Sequence, residues 1–196
     1  MSLYRRLSAA QNGQAFLTLA RRFRLSEEQA AEAVRHLVGL IVPDLRRQLV
    51  DPQLLIAFVS DLAANAYERY YYDPLPPGQS EIREKGRAVL RLLGRDAGYP
   101  LGTWRQVSEG CGAETAVLMQ MLPHVALLCL GALKVASEGE VRSVAGMHGG
   151  ARGGRPEADA FAMLADLLHE ADLPRRRREV AGLMSEVLTG RGPQRG

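Results

Sequence analysis

The segment ETAVLMQMLPHVALLCLGAL, residues 114–133, decides the fold, because nineteen consecutive residues from Thr115 to Leu133 carry no charge. As an α-helix these residues span about 28 Å, which is close to the hydrocarbon thickness of a bilayer. Gln120, Pro123 and His124 lie in the middle of the segment, where polar side chains cost most in lipid. A helix that is apolar on every side is also typical of the centre of a soluble bundle. We therefore predict a buried core helix rather than a membrane span.

The composition favours packed helices. The chain has 196 residues, of which 46% are hydrophobic and only 6% are aromatic, so the core is built mainly from Leu, Val and Ala. Ala and Leu stand at the top of the helix-propensity scale. Because no alternating apolar and polar run of useful length occurs, we predict no strand. The predicted fold class is an all-α, multihelical bundle.

Several helix boundaries can be predicted from capping residues. Ser26 followed by Gln29 forms a capping box at the start of a helix that Pro43 should end or kink. Asp51 followed by Pro52 is a second start signal, an N-cap before proline at the first helical position. The pattern after it predicts one helix over residues 53–72.

The chain is predicted to consist of two related helical halves and a flexible C-terminal helical appendage. Two segments, residues 25–45 and 111–133, share a small or polar opening, an acid, an alanine and an apolar run with one proline. Two related helical units and chance similarity between Ala- and Leu-rich helices both explain this. The predicted divisions are an N-terminal half 1–73, a Pro-rich linker 74–79, a C-terminal half 80–144, a Gly-rich linker 145–156, an appendage 157–190 and a disordered tail 191–196.

The charge distribution offers a first candidate surface. The net charge is only +3, but the first fifty residues carry eight arginines against four acidic residues. This excess is far below the dense basic stripe of a dedicated nucleic-acid-binding protein. Solvated helix ends explain it, and phosphate binding is the functional alternative. The candidates for phosphate binding are Arg21, Arg22 and Arg24.

A tyrosine-rich stretch, YERYYYDPLPPG, offers a second candidate surface. On a helix Tyr67, Tyr70 and Tyr71 share a face, whereas Tyr72 points elsewhere. Packing of this helix end against the rest of the protein is one interpretation. The other is a protein-binding patch, because tyrosine is enriched in interface hot spots.

The sequence contains no pattern that predicts catalysis. Of the four histidines, His36, His124, His148 and His169, we expect His124 to be buried, neutral and hydrogen-bonded to a backbone carbonyl. Cys111 and Cys129 have no partner at metal-ligand spacing and are expected to be buried, inert thiols. A phosphate loop, a nucleophile elbow and an activated carboxylate pair are all missing from the sequence. We predict that the chain is not an enzyme and uses no metal or cofactor.

Three segments together resemble a bacterial family. SEEQAAEAVRHLVGLIVPDL (residues 26–45), GRAVLRLLG (86–94) and GCGAETAVLMQMLPHVALLCLGAL (110–133) are similar to successive signatures of the domain of unknown function 937 family, which is related to the YidB-like proteins. The resemblance covers about residues 11–135. It implies a soluble, multihelical bacterial protein and no specific activity.

The chain departs from this family towards its C-terminus. Family members often end in Gly-rich sequence with an aspartate-rich, calcium-loop-like turn, whereas here four consecutive arginines, Arg175 to Arg178, occupy the corresponding place. A hard cation needs several oxygen ligands on one short loop. The family's metal site is therefore not expected here.

The function predicted from the sequence is a non-enzymatic protein-interaction or scaffold module whose partner is another protein. Weak nucleic-acid binding through the arginine-rich helix ends is the alternative. Membrane association through residues 115–133 is the third interpretation. The N-terminus lacks the apolar region of a signal peptide and the chain has few cysteines, so the expected location is the cytoplasm.

Overall fold

The structure, a computed structural model, describes residues 3–73 and 79–147. Within these ranges the chain forms helices and no strand, which confirms the all-α prediction. The helices are α1 (Leu3–Ala9), a 3-10 turn (Ala10–Gly13), α2 (Ala15–Phe23), α3 (Glu27–Val50), α4 (Pro52–Ala64), α5 (Glu68–Tyr72), α6 (Gln79–Leu92), α7 (Leu101–Cys111) and α8 (Thr115–Met147).

Helix α8 is the centre of the bundle, and each of the other seven α-helices packs on it. Every residue from 121 to 133 is buried. By length and composition alone, Thr115–Ser137 could cross a membrane, but 78% of its most apolar window is buried inside the protein. Because the chain itself covers this apolar surface, the segment is the core helix of a bundle.

The predicted helix starts at Ser26 and Asp51 are confirmed. The Ser26 side chain accepts a hydrogen bond from the Gln29 amide, and the Gln29 side chain accepts one from the Ser26 amide. Asp51 Oδ1 accepts hydrogen bonds from the amides of Gln53 and Leu54, 2.9 and 3.3 Å away. These bonds satisfy amides that a helix N-terminus leaves without partners.

The two prolines inside long helices, Pro43 and Pro123, do not end them. Pro43 was predicted to end or kink its helix, and it does not end it, because α3 continues to Val50. Leu45 and Leu49 beyond the proline are buried, and this packing offsets a proline cost of about 3 kcal/mol. Helix α8 likewise continues through Pro123.

The single helix predicted over residues 53–72 is wrong, because the chain breaks between α4 and α5. Asn65 has an extended backbone, and its side-chain amide donates to the carbonyl and carboxylate oxygens of Asp61 at 2.9 and 3.0 Å. Lys134 of α8 donates to the Asn65 carbonyl at 2.6 Å. Local side-chain hydrogen bonds of this kind compete with helix continuation, and the sequence pattern does not show them.

The two predicted halves contribute to one continuous core. Leu37 and Phe58 from the first half lie in the same buried cluster as Val89 and Leu128 from the second. The symmetry between the halves stays a prediction. Residues 145–147, placed in the predicted Gly-rich linker, belong to α8. The rest of that linker, the appendage 157–190 and the tail 191–196 lie outside the described residues.

Helices α6 and α8 touch where Gly86 meets Pro123. A Cβ atom added to Gly86 would lie 2.6 Å from the Pro123 carbonyl carbon, well inside van der Waals contact. Gly39 of α3, by contrast, has no atom within 4 Å of the corresponding position. The two glycines therefore separate the effect of close packing from that of helix propensity.

We expect Gly86→Ala to lower the free energy of unfolding by about 1 to 3 kcal/mol, because the new methyl group pushes α6 away from the α8 backbone. Gly39→Ala should leave stability unchanged or raise it by up to about 1 kcal/mol through helix propensity. Urea denaturation followed by circular dichroism measures both. Equal effects of the two substitutions would contradict the close helix contact.

A buried carboxylate joins α3 to the connection between α6 and α7. Asp44, which is 2% exposed, accepts hydrogen bonds from Arg95 Nε and Nη2, both at 2.8 Å, and from the Tyr99 hydroxyl at 2.7 Å. Burial and the bond to Asp44 raise the pKa of Tyr99. Arg47 adds a donor to the Leu93 carbonyl in the same connection. The cluster has a structural role, since its polar groups satisfy one another.

We expect Asp44→Asn to lower the free energy of unfolding by about 2 to 4 kcal/mol, because Arg95 loses its buried anionic partner. The control is Glu32→Gln, which removes the exposed ion pair between Glu32 and Arg35 and should leave stability unchanged. Thermal and urea denaturation measure both variants. A stable Asp44→Asn protein would show that the cluster does not hold the connection.

Candidate functional site

The tyrosines named as interaction candidates are packed into the protein, which agrees with the packing interpretation rather than with the patch. Tyr67 and Tyr70 are 7% and 2% exposed, and Tyr71 is half-buried. Helix α5 lies against α8 at Gly131, where an added Cβ would be 2.7 Å from the Tyr67 carbonyl oxygen. Only Tyr72, outside the predicted face, is well exposed, at 58%. The shared face is therefore part of the core.

The polar ends of these tyrosines are satisfied inside the fold. The Tyr67 hydroxyl donates to Asp61 Oδ2 at 2.6 Å, and burial together with this bond raises the pKa of Tyr67. Arg69 Nη2 donates to the Tyr70 hydroxyl at 2.6 Å and to Glu81 Oε1 at 3.1 Å. The tyrosine stretch therefore tethers α5 to its neighbours and presents no free donor from Tyr67.

The three predicted arginines do not form one surface. Arg21 and Arg24 are exposed, and Arg24 ends α2 in a left-handed conformation with φ of 56°. Arg22 is half-buried, and its Nη2 atom is buried without a hydrogen-bond partner in the described part of the chain. Burial, and then the nearby Arg83, lower the pKa of Arg22. Arg22 thus belongs with α6 rather than with its own neighbours in sequence.

A cavity of about 260 Å³ lies between α6 and α8 beside Arg22. Its lining residues are Arg83, Arg87, Met119, Gln120 and Pro123. Here the surface of α8 opens, because Met119 and Gln120 are exposed whereas the following residues are buried. We call this cavity together with Arg22 the arginine cleft.

Helix geometry explains how the cleft residues come together. Arg83 and Arg87 are four residues apart and therefore share a face of α6, as Met119 and Pro123 do on α8. Gly86 lies beside Arg87 and allows the two helices to meet at Pro123. Proline has no amide hydrogen, so Pro123 cannot donate to the Met119 carbonyl as other residues in a helix would.

Most other cationic side chains that are buried or that bridge two helices in the described chain pair with an acid. The cleft arginines do not. Among the side chains that the structure describes, none forms an ion pair with Arg22, Arg83 or Arg87. Lys85 on the same helix, by contrast, pairs with Glu81 at 3.0 Å. The cleft therefore concentrates positive charge that its own side chains do not neutralise.

His124 lies behind the cleft, as the buried, backbone-bonded histidine predicted from sequence. It is 4% exposed, and its Nδ1 atom lies 3.1 Å from the Gln120 carbonyl oxygen. Since a carbonyl only accepts, Nδ1 carries the proton, and Nε2 is a buried acceptor with no partner in the described chain. The ring packs edge-to-face on Phe23, at 5.1 Å between centroids. Burial, and then Arg22, lower the pKa of His124 to about 4.

The other candidates for chemistry are inert or lie outside the described residues. Cys111 and Cys129 are buried free thiols, and burial raises the pKa of Cys129. His36 is partly buried, with Nε2 3.1 Å from Arg35 Nη2. His148 and His169 lie outside the described residues. In the part of the chain that the structure describes, no three His, Cys, Asp or Glu residues are grouped to hold a metal ion.

Comparison of the chain with protein-family models, curated proteins and solved structures found no match. The resemblance to the domain of unknown function 937 family therefore stays a prediction.

Sequence reasoning did not select the arginine cleft, although part of its signal was visible. Arg83 and Arg87 stand at helical spacing, and no acid lies three or four residues from Arg83, although Glu84 lies three residues before Arg87. Gln120 and His124 stand out in the sequence only as polar residues inside an apolar segment. Only the packing of α6 on α8 shows that Gln120 and His124 lie close to Arg83.

We expect stability to depend on pH through His124. The pKa is about 4 in the folded protein and 6.5 for an unperturbed histidine, so between these values only the unfolded chain takes up the proton. Stability is therefore complete above pH 6.5 and falls by about 3 kcal/mol as pH decreases towards 4. Urea denaturation across this range measures the fall, and His124→Gln should remove it. A variant with the wild-type pH dependence would contradict this origin.

Proposed function

We propose that this chain is a non-enzymatic helical binding module that holds an acidic segment of another protein in the arginine cleft. One observation carries the proposal. Arg83 and Arg87 line one cavity, Arg22 of the distant helix α2 lies close to Arg83, and none of the three has an acidic partner among the side chains that the structure describes. Arginine is suited to this role, because its planar guanidinium group binds carboxylates and phosphates through two parallel hydrogen bonds.

The electrostatic arrangement supports an anionic ligand. Arg22 is half-buried, and the neighbouring charge of Arg83 disfavours its cationic form. Like charges held close together near a low-dielectric wall raise the energy of the unbound protein, and an anion between them lowers it.

The chemistry around the cleft supports binding rather than catalysis. His124 has its Nδ1 proton committed to the Gln120 carbonyl, and its low pKa keeps it neutral at pH 7. A general base in a nucleophile pair needs a hydroxyl or thiol within hydrogen-bond distance. The two described thiols are buried, and the Cys111 thiol donates to the Val107 carbonyl.

Weak nucleic-acid binding is the second candidate, and the exposed Arg21 and Arg24 are the observation that favours it. These residues lie at the end of α2, outside the cleft, where their exposed side chains can contact phosphates. Such binding is sequence-independent and weakens steeply with salt. The third interpretation, membrane association through residues 115–133, would require the bundle to open, because α8 is covered by its neighbours.

The test compares two double substitutions that remove the same net charge. We expect Arg83→Gln with Arg87→Gln to weaken binding of a glutamate-rich peptide by about tenfold or more, since each lost charge-assisted bond costs over about 1 kcal/mol. Arg5→Gln with Arg105→Gln, on exposed positions outside the cleft, should leave the affinity within about twofold, as expected of screened surface charges. Fluorescence anisotropy measures both.

A third double variant separates the two candidate functions. Arg21→Gln with Arg24→Gln should leave peptide binding intact under the proposal. If it instead weakens binding of a single-stranded oligonucleotide, and that binding falls steeply with salt, the nucleic-acid alternative is correct. Equal loss of peptide binding in all three double variants would show a net-charge effect and contradict the cleft as the binding site.

A further inference from the structure

We propose that the arginine cleft is specific for a phosphate monoester, with the phosphate group between Arg83 and Arg87 and its carbon substituent against Met119 and Pro123. The inference rests on the proposed function and names the chemical group that the cleft recognises. A phosphorylated side chain of a partner and a small phosphorylated metabolite both present this group.

The charge of the cleft fits a dianion better than a carboxylate. Two guanidinium groups, of Arg83 and Arg87, line the cavity, and a third, of Arg22, lies close to Arg83; among the side chains that the structure describes, none of the three pairs with an acid. A carboxylate brings one negative charge, whereas a phosphate monoester brings about 1.5 to 2 negative charges at pH 7. The larger charge neutralises more of the repulsion between Arg22 and Arg83.

The hydrogen-bonding capacity of the lining points the same way. The side chains of Arg83 and Arg87 donate only, and the Gln120 side chain can turn its amide nitrogen towards a ligand. Among the lining residues that the structure describes, none is a carboxylate that would repel an anion. A ligand that fits must therefore be rich in acceptors, and a phosphate group has three terminal oxygens that accept.

The remaining wall of the cleft is apolar, and this distinguishes a monoester from inorganic phosphate. Met119 is 50% exposed, although most large apolar side chains of the described chain are buried. Pro123 lines the cleft beside it, on the same face of α8. At about 260 Å³ the cavity holds much more than a phosphate group, since a water molecule in the liquid occupies about 30 Å³. The extra space lies next to apolar surface, which suits a carbon substituent.

The test is a titration of the full-length protein with three probes, phenyl phosphate, phenyl sulfate and inorganic phosphate, at constant ionic strength. Two-dimensional NMR of backbone amides gives both the affinity and the location. We expect phenyl phosphate to bind about tenfold tighter than phenyl sulfate, which has the same shape and a smaller charge. The shifts should be centred on Gly86, Gln120 and His124.

Two variants test the two walls separately. Arg83→Gln with Arg87→Gln should weaken phenyl phosphate by at least about tenfold, whereas the matched Arg5→Gln with Arg105→Gln should not. Met119→Ser should reduce the preference for phenyl phosphate over inorganic phosphate while leaving inorganic phosphate unchanged. Both cleft substitutions are at solvent-accessible positions, so a circular dichroism spectrum and melting curve verify that each variant is folded.

The source of the phosphate is distinguished with a phosphoserine peptide and its unphosphorylated form. Binding of the phosphopeptide at least as tight as that of phenyl phosphate assigns the site to a modified protein. Exclusion of the peptide, with phenyl phosphate bound, assigns it to a small metabolite.

The inference is overturned if phenyl sulfate binds as tightly as phenyl phosphate, if the shifts lie outside the cleft, or if no probe binds. Its failure is distinguishable from failure of the proposed function. If binding of a glutamate-rich peptide still depends on Arg83 and Arg87, the proposal of an acidic partner holds and only the phosphate specificity is wrong. Loss of both would remove the cleft as a binding site.

Discussion

The constraint on which the structure depends is the need to cover a helix that is apolar on every side. Residues 121–133 of α8 offer no polar face, so they can be buried only if neighbours surround them completely. Seven helices do this, including the short α1 and α5, which have little stability of their own. The breaks between the helices follow from that task, because the chain must turn at Asn65 to place Tyr67 and Tyr70 on α8.

The same constraint explains why the cleft lies at the N-terminal part of α8. Before residue 121 the helix becomes mixed in character, with Met119 and Gln120 exposed, and it no longer requires complete coverage. This transition lies near Pro123, and the contact between Pro123 and Gly86 fixes the position of α6 along the axis of α8. Arg83 and Arg87 are then positioned over the opening. Packing at one glycine therefore determines where two charges are displayed.

The sequence was sufficient for features that are local or that repeat along one helix. The caps at Ser26 and Asp51, the absence of strands from the described chain and the burial of His124 are of this kind. The continuation of α3 past Pro43 and the break at Asn65 could not be predicted, because buried leucines and a lysine from α8 decide them through tertiary contacts. The tyrosine face was visible, but whether it faces solvent or α8 depends on Gly131, which is distant in sequence. The arginine cleft combines three helices, so no single segment could reveal it.

The distribution of pairing on α6 gives a final reason to connect the cleft with function. Glu81 bridges Lys85 of its own helix and Arg69 of α5, so one side of α6 is neutralised within the fold. On the other side Arg83 and Arg87 face the cavity without such a partner in the described chain. An acid three or four residues from Arg83 and facing the cavity would remove repulsion at little structural cost.

Local rules of stability are broken most often where a protein binds something else. Unpaired arginines, the unsatisfied Arg22 Nη2 atom and the orphaned Nε2 atom of His124 all occur around this one opening. An anionic ligand between Arg83 and Arg87 would supply the negative charge that the unpaired arginines lack. Under the proposed function, the cost of keeping the arginines unpaired in the free protein would be recovered when an anion binds in the cleft.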